Sequence, residues 1–579
     1  MSARIVRRQC VTAGDISGSI HPLLKRIYLG RGVTGAEDLD LGLDRLIPLR
    51  ALGQIEAAVQ LLIRHFHAGG RITVIGDFDA DGATSTALMV RQLRSLGFAD
   101  VDFLVPNRFD YGYGLTPEIV ALAAVSRPAL IITVDNGISS HAGVEAALAE
   151  GIETLITDHH LPASTLPAAA VIVNPNSPGE TFPSKSLAGV GVAFYVMALL
   201  TRSMQQQGLV KDPRPVSELL DLVALGTVAD LVALDHNNRI LVHQGLRRIR
   251  AGRCTAGVRA LLEMAGKRPE KVVASDLGFQ VGPRLNAAGR LDDMSIGIQC
   301  LLTDDSASAR LLAGRLAQLN QDRKELELRM QQDALGTLVD MRADDDSLPL
   351  GLCLFADDWH QGVVGLVASR VKERTHRPVI AFARADGTML KGSARSVAGV
   401  HIRDVLDAVA KRHPELIHRF GGHAMAAGLS LPHDSLEAFR LAFDTEVRRW
   451  MTADDAHGVI QSDGVLGLED CTLETARIVR EAGPWGQSFP EPTFDGRFSV
   501  VEARILSDRH LKLKLRYSSD AGPTGPVCEA IAFRYFDHVE ATDVVPGQQV
   551  EIAFRMDINE YGGKERLQLL VEHLEVVGT

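Results

Sequence analysis

The alternation of apolar and polar positions divides the chain into stretches of different period. From Arg71 to about Thr303, short β-branched runs alternate with helical patterns. Ile72–Ile75, Val101–Val105, Leu130–Val134, Thr154–Thr157 and Ala170–Val173 read as strands. Helices between consecutive strands predict right-handed crossovers and a parallel sheet over 71–303. Residues 1–70 read as an irregular lead-in ending in an amphipathic helix, with Leu52, Ile55, Ala58, Val59, Leu62 and Ile63 on its apolar face. Residues 304–342 show helical spacing at Leu312, Leu316, Leu319, Leu326 and Met330, with Arg323, Lys324, Glu325 and Glu327 on the other faces. That predicts a connecting rod of roughly 50 Å. A smaller α/β region comes next over 343–455, with strands at Leu350–Phe355 and Pro378–Phe382. Residues 456–579 change character, to short alternating strands at Phe498–Ile505, Leu511–Tyr517, Glu529–Phe533, Gln549–Met556 and Arg566–Val571. Five such strands predict a small barrel of the OB type. The class is α/β multidomain with a C-terminal barrel.

A chain of 579 residues is too long for one core, in keeping with several domains. The formal charge of -11 argues against non-specific coating of nucleic acid, while leaving room for a local basic groove. The six cysteines, Cys10, Cys254, Cys300, Cys353, Cys471 and Cys528, form no C-x-x-C pair. That suits reduced thiols in a cytoplasmic protein better than a disulfide framework or a zinc ribbon. Arg4, Arg7 and Arg8 precede no apolar core of a signal peptide, and Val192–Leu200 is too short to span a bilayer, so no membrane partner is expected.

Three predicted strands run into acids. The first leads to Asp77, Asp79 and Asp81 in Gly76-Asp-Phe-Asp-Ala-Asp-Gly82, the next to Asp135-Asn136-Gly137, and another to Asp158-His159-His160. Asp221 opens the apolar segment that closes at Asp230. Ligands in open α/β sheets gather at the carboxyl ends of strands. Carboxylates crowded there repel unless a cation neutralises them, and hard oxygen donors suit Mg²⁺ or Mn²⁺. Each signal has a rival taken singly: a turn at Asp135-Asn136-Gly137, satisfied polar histidines, a helix cap at Asp221. Four together favour a metal site.

These motifs, in this order, resemble those of the DHH phosphoesterase superfamily, of which Asp158-His159-His160 is the namesake. Pro106–Gly114, Gly189-Val-Gly191, Leu225–Asp230 and Gly282–Arg290 resemble the RecJ family within it, single-strand-specific 5′→3′ DNA exonucleases of repair and recombination. One departure is Ile75, where pyrophosphatase-like members carry a metal-binding His. The resemblance implies two divalent ions, Mn²⁺ or Mg²⁺. Asp79 would bind one and Asp81 the other, with Asp135 bridging, His159 and Asp221 completing the second site and Asp77 supporting the first. It implies a phosphate or acid/base role for His160, oriented by Asp158, and substrate contacts from Tyr113, Arg284 and Arg290. Partners implied are single-stranded DNA, single-strand DNA-binding protein and a RecQ-type helicase, with the enzyme a monomer. Rival functions are a DHH phosphodiesterase for oligoribonucleotides or cyclic dinucleotides, and a non-catalytic scaffold.

In the second α/β region, Lys391–Ser396 and Phe420–Gly428 set glycines beside Ser, Arg and His, a pattern that reads as a phosphate cradle or as two turns. It resembles the DHHA1 domain, which implies that Gly421, Gly422 and His423 face the metals and that Arg108, Ser393 and Arg395 hold a 5′ phosphate. In the last region, Lys512, Lys514 and Arg516 share one strand face by period-2 alternation. That face is either a nucleic-acid track or a solvated surface.

Overall fold

Ile72–Gly76 (β1), Val101–Leu104 (β2), Leu130–Val134 (β3), Glu153–Thr157 (β4) and Val171–Val173 (β5) form one sheet in the order β2-β1-β3-β4-β5. Every neighbouring pair is parallel. All five residues of β1 and all five of β3 are buried, as a parallel sheet covered on both faces requires. The computed structural model describes residues 3–9, 16, 20–107, 112–344, 348–385, 387–519, 522–537, 542 and 544–577. The chain divides into two units, and this sheet lies in the one comprising Cys10–Asn320 and Arg477–Glu491.

Helices Ala80–Ser95 (α1), Gly189–Gln206 (α2) and Leu220–Ala229 (α3) supply much of that core. Thirteen residues of α1 are buried, so it is a core helix with no solvent face of any size. The parallel topology has one consequence for chemistry: β1, β3 and β4 all finish at the same edge of the sheet. Helix Gly282–Leu291 (α4) packs on α1 there.

The other unit comprises Met1–Gln9, Gln321–Ala476 and Pro492–Thr579. Leu352–Phe355 (β6), Val379–Arg384 (β7), Met389–Arg395 (β8), Arg419–Gly422 (β9) and Ala426–Pro432 (β10) form a mixed sheet in the order β9-β10-β8-β7-β6, only β6 and β7 being parallel. Phe494–Leu506 (β11), His510–Ser519 (β12), Gly522–Ala532 (β13), Gln549–Asn559 (β14) and Arg566–Val576 (β15) close into a five-stranded barrel.

Two expectations change. The lead-in is not wholly irregular, since Ala3–Arg7 pairs in parallel with Gly458–Ser462 and the Arg7 guanidinium donates to buried Asp495 at 2.7 Å. A partner so distant in sequence leaves no local signal. The long helix, Ser306–Asp344 (α5), passes from the first unit into the second. Arg323 and Glu327, on the faces away from the apolar stripe, are only 9% and 7% exposed. Glu327 accepts from Arg323 at 2.8 Å and from Arg370 at 3.0 Å, so the helix's C-terminal half is packed as well as connecting. Among the described residues no single helix is long and apolar enough to cross a membrane.

Candidate metal centre

The turn after β1 is tight: a Cβ on Gly82 would stand 2.5 Å from the Asp77 carbonyl oxygen. Asp79 then caps α1, its Oδ1 accepting from Gly82 N at 3.0 Å. Asp81, 1% exposed in the first turn, accepts from Gly189 N at 2.7 Å and Val190 N at 2.9 Å at the start of α2. Asp135, directly after β3, has φ of +62° and is 1% exposed. That left-handed conformation aims its carboxylate back across the sheet edge, and Asp pays less for it than most residues.

Asp158, after β4, is the hub of the histidine pair. Its Oδ1 accepts from His159 N at 2.7 Å, His160 N at 3.1 Å and His160 Nδ1 at 2.8 Å, while Oδ2 accepts from Ile138 N at 2.9 Å. Tyr113 Oη lies 3.3 Å from the His160 ring and 3.4 Å from the Asp135 carbonyl.

Ligand atoms gather in three overlapping groups, each within 4.8 Å: Asp77, Asp79 and Asp135; Asp81, His159 and Asp230; Asp135, His159 and His160. Asp135 belongs to two of them. Burial and then the neighbouring carboxylates push Asp135 and Asp230 well above the ordinary range, and raise Asp81 to about 7. Burial, then His160, lowers His159 to about 4, so its ring is neutral. Burial, the largest single influence on His160, opposes its charge too, but the hydrogen bond to Asp158 and the charges of Asp158, Asp230 and Asp77 together outweigh it and raise His160 to about 9.

The His159 ring donates to the Leu187 carbonyl. Its other nitrogen, Nε2, therefore presents a lone pair, and it stands 3.1 Å from Asp135 Oδ1 and 3.5 Å from Asp230 Oδ2. Both Nε2 and Asp135 Oδ1 are buried and have no hydrogen-bond partner among the described residues. Acceptors facing acceptors in a dry site cost free energy, and a cation between them reconciles all three. The backbone leaves room for one: a Cβ on Gly189 would fall 2.6 Å from Asp135 Oδ1. The donor set of carboxylates plus one imidazole fits Mn²⁺ or Mg²⁺.

Asp221 is not part of this cluster. It is wholly buried, and its Oδ2 accepts from Thr255 N at 2.7 Å and Thr255 Oγ1 at 2.9 Å. Asp221 lies in the first turn of α3 and Asp230 caps the C-terminal end. About two and a half turns separate them, which puts them on opposite faces of the helix. The second acid of the segment, not the first, reaches His159. Its signal was present in the sequence, but helix phase was needed to choose.

The Arg284 guanidinium donates to the Gln280 and Met264 carbonyls. The rest of its motif supports the acidic loop. Asn286 Oδ1 accepts from Ala80 N at 2.7 Å, and a Cβ on Gly289 would sit 1.8 Å from Phe78 O. Arg290 ends α4.

In the other unit, Ser393 and Arg395 lie on β8, with Arg395 Nη1 donating to Ser393 Oγ at 3.0 Å. A Cβ on Gly365 would be 2.8 Å from that Oγ and 2.9 Å from Arg395 Nη2, so the three converge. Gly421 pairs with Gly428, which pairs with Ser393, and His423 N donates to Ala426 O in the turn beyond β9. Arg108 lies outside the described residues. On the barrel, Leu511, Leu513 and Leu515 are buried, which turns Lys512, Lys514 and Arg516 outward. Lys512 pairs with Glu529 at 3.2 Å and Lys514 with Glu502 at 2.7 Å, so the stripe is partly neutralised by its neighbours.

Three family profiles match the chain: the DHH family N-terminal domain over residues 71–227, the DHHA1 domain over 350–449 and the RecJ OB domain over 462–573. The single-stranded-DNA-specific exonuclease RecJ of Dickeya dadantii is 52% identical over 98% of both chains. This chain belongs to the RecJ family. The RecJ exonuclease of Escherichia coli is 50% identical over 98% of both chains, and that of Bacillus subtilis 32% identical over 96% of this chain and 68% of its own. Among solved structures, RecJ of Thermus thermophilus in complex with Mn²⁺ superposes with a TM-score of 0.79 at 31% identity, covering 97% of this chain and 76% of its own. The Mg²⁺ complex of RecJ from the same organism gives 0.73.

Proposed function

We propose that this chain is a metal-dependent exonuclease specific for single-stranded DNA. It would release mononucleotides 5′→3′ in repair and recombination. The observation that carries the chemistry is the buried lone-pair opposition of His159 Nε2 and Asp135 Oδ1 amid four further carboxylates. Asp77, Asp79 and Asp135 would hold one divalent ion, and Asp81, His159 and Asp230 the other, with Asp135 shared. Such ions supply Lewis acidity at a phosphate and acidify water.

The protein's own groups do the remaining work. Asp158 keeps the Nδ1 proton of His160 and holds the ring cationic at neutral pH. That leaves the Nε2 proton to meet a phosphate oxygen or the departing sugar oxygen. Tyr113 fixes the ring from the open side. Gly365, Ser393 and Arg395 form a backbone-and-guanidinium cradle for a terminal 5′ phosphate, with Gly421, Gly422 and His423 as further phosphate contacts. The barrel would track the single strand. We further propose single-strand DNA-binding protein and a RecQ-type helicase as partners, a monomeric state and a cytoplasmic location, on the strength of the family resemblance alone.

The test uses 5′-labelled and 3′-labelled single-stranded DNA with Mn²⁺, beside matched RNA, duplex and a cyclic dinucleotide. Immediate release of the 5′ label as mononucleotide, with gradual shortening of the 3′-labelled strand, is expected. Preference for short RNA would overturn the DNA assignment, and binding without any cleavage would return the chain to a scaffold.

A further inference from the structure

The loop after β5, Asn174-Pro175-Asn176, bears no titratable group and takes no part in the chemistry above. Asn174 is 1% exposed, donates from Nδ2 to His160 O at 2.9 Å, and accepts at Oδ1 from Asn176 N at 2.7 Å. Asn176 Nδ2 in turn donates to two carbonyls, His159 O at 2.6 Å and Lys185 O at 3.1 Å. Lys185 closes the ring from the other side, its Nζ donating to Pro175 O at 2.7 Å and Glu180 O at 2.8 Å.

Just beyond Lys185 the backbone reaches the metal centre itself. The Leu187 carbonyl fixes the His159 tautomer, and Gly189 N and Val190 N hold Asp81. One carboxamide thus ties the segment bearing His159 to the segment that orients both His159 and Asp81. Those two side chains, with Asp230, form one of the ligand groups.

We propose that Asn176, seated by Asn174, is a positioning residue of the metal centre. It sets where His159 Nε2 stands relative to Asp81 and Asp230, and it touches neither substrate nor ion. The inference rests on the metal reading above. Without the amide, the His159 and Lys185 carbonyls lose their shared donor and the two segments drift independently, which blurs a geometry that a small hard cation demands.

Calorimetric titration of Mn²⁺ into the metal-free full-length protein tests this, beside kcat and KM on single-stranded DNA at graded Mn²⁺ and thermal unfolding in chelator. Asn176→Ala is expected to weaken Mn²⁺ binding by about 10- to 100-fold. Its KM for DNA should stay within about twofold and its kcat should recover as Mn²⁺ is raised. Asn176→Asp keeps the size but turns acceptors toward two carbonyls, and should fall at least as far. Unchanged Mn²⁺ affinity, or a loss of kcat that no Mn²⁺ concentration restores, overturns the proposal. Should neither variant fold, Asn174→Ala removes the acceptor that seats Asn176, and parental Mn²⁺ affinity in it would be equally fatal. Failure of the parent to bind Mn²⁺ would instead defeat the metal reading itself.

Discussion

Asp135→Asn should make the metal-free protein more stable and the enzyme inactive. The side chain is 1% exposed and shares a ligand group with Asp77 and Asp79, whose oxygens lie within 4.8 Å. At an effective dielectric of about 20, two charges at that separation repel by about 3 kcal/mol. Partial protonation relieves some of this, which leaves a net gain of about 2 kcal/mol for removing one charge. Asparagine tolerates the left-handed backbone at φ +62°, so the substitution adds little strain. Asp81, Asp135 and Asp230 sit above their unfolded values, so the unfolded state binds fewer protons and stability falls as pH rises through their range. The gain is therefore largest in mildly alkaline chelator and fades in acid. The assay is thermal unfolding in chelator and in Mn²⁺, beside release of a 5′ label. The parent should rise in Tm with Mn²⁺, by an increment of about 4 kcal/mol at a thousand times Kd, while the variant loses most of that increment and its turnover. A variant less stable than the parent in chelator, or one that retains the Mn²⁺ increment, would refute the like-charge account of this site.

Asp230→Asn should lower Mn²⁺ affinity and cleavage by on the order of 100-fold, whereas Asp221→Asn should keep cleavage and cost about 1–2 kcal/mol of stability through its Thr255 bonds; parallel titrations of both variants separate the two acids. Gly289→Ala places a methyl 1.8 Å from the Phe78 carbonyl oxygen and must displace either α4 or the acidic loop, with an expected loss of about 2 kcal/mol or more in urea unfolding and a larger loss of kcat than of DNA binding. Arg395→Ala should reduce the preference for 5′-phosphorylated over unphosphorylated ends by about tenfold, measured as the ratio of kcat/KM; an unchanged ratio would misplace the phosphate cradle.

Much of the architecture was legible because its signals are local. Each β-branched run from Ile72 to Val173 is defined by its own few residues, and a parallel sheet results from helices lying between them. Acids directly after strands announce their location, since a parallel sheet delivers all such ends to one edge. Leu511, Leu513 and Leu515 against Lys512, Lys514 and Arg516 fixed the faces of β12 in the same way. The errors share a physical origin. Asp221 and Asp230 bracket one apolar helix, and only its rotational setting against β3 and β4 decides which reaches His159. Arg323 and Glu327 look like surface charges until Arg370, from another helix, covers them.

By itself, then, the sequence determined where the strands and helices lie, the parallel run of the acid-bearing strands and the set of donors available for metal. The tertiary structure decided which donors converge, which tautomer His159 holds and which amide, Asn176, ties its segment to that of Asp81. The reason is range. Periodicity and turn chemistry act over a few residues, whereas a ligand set is fixed by contacts between segments far apart in sequence, and there a single helix face or one carbonyl decides the outcome.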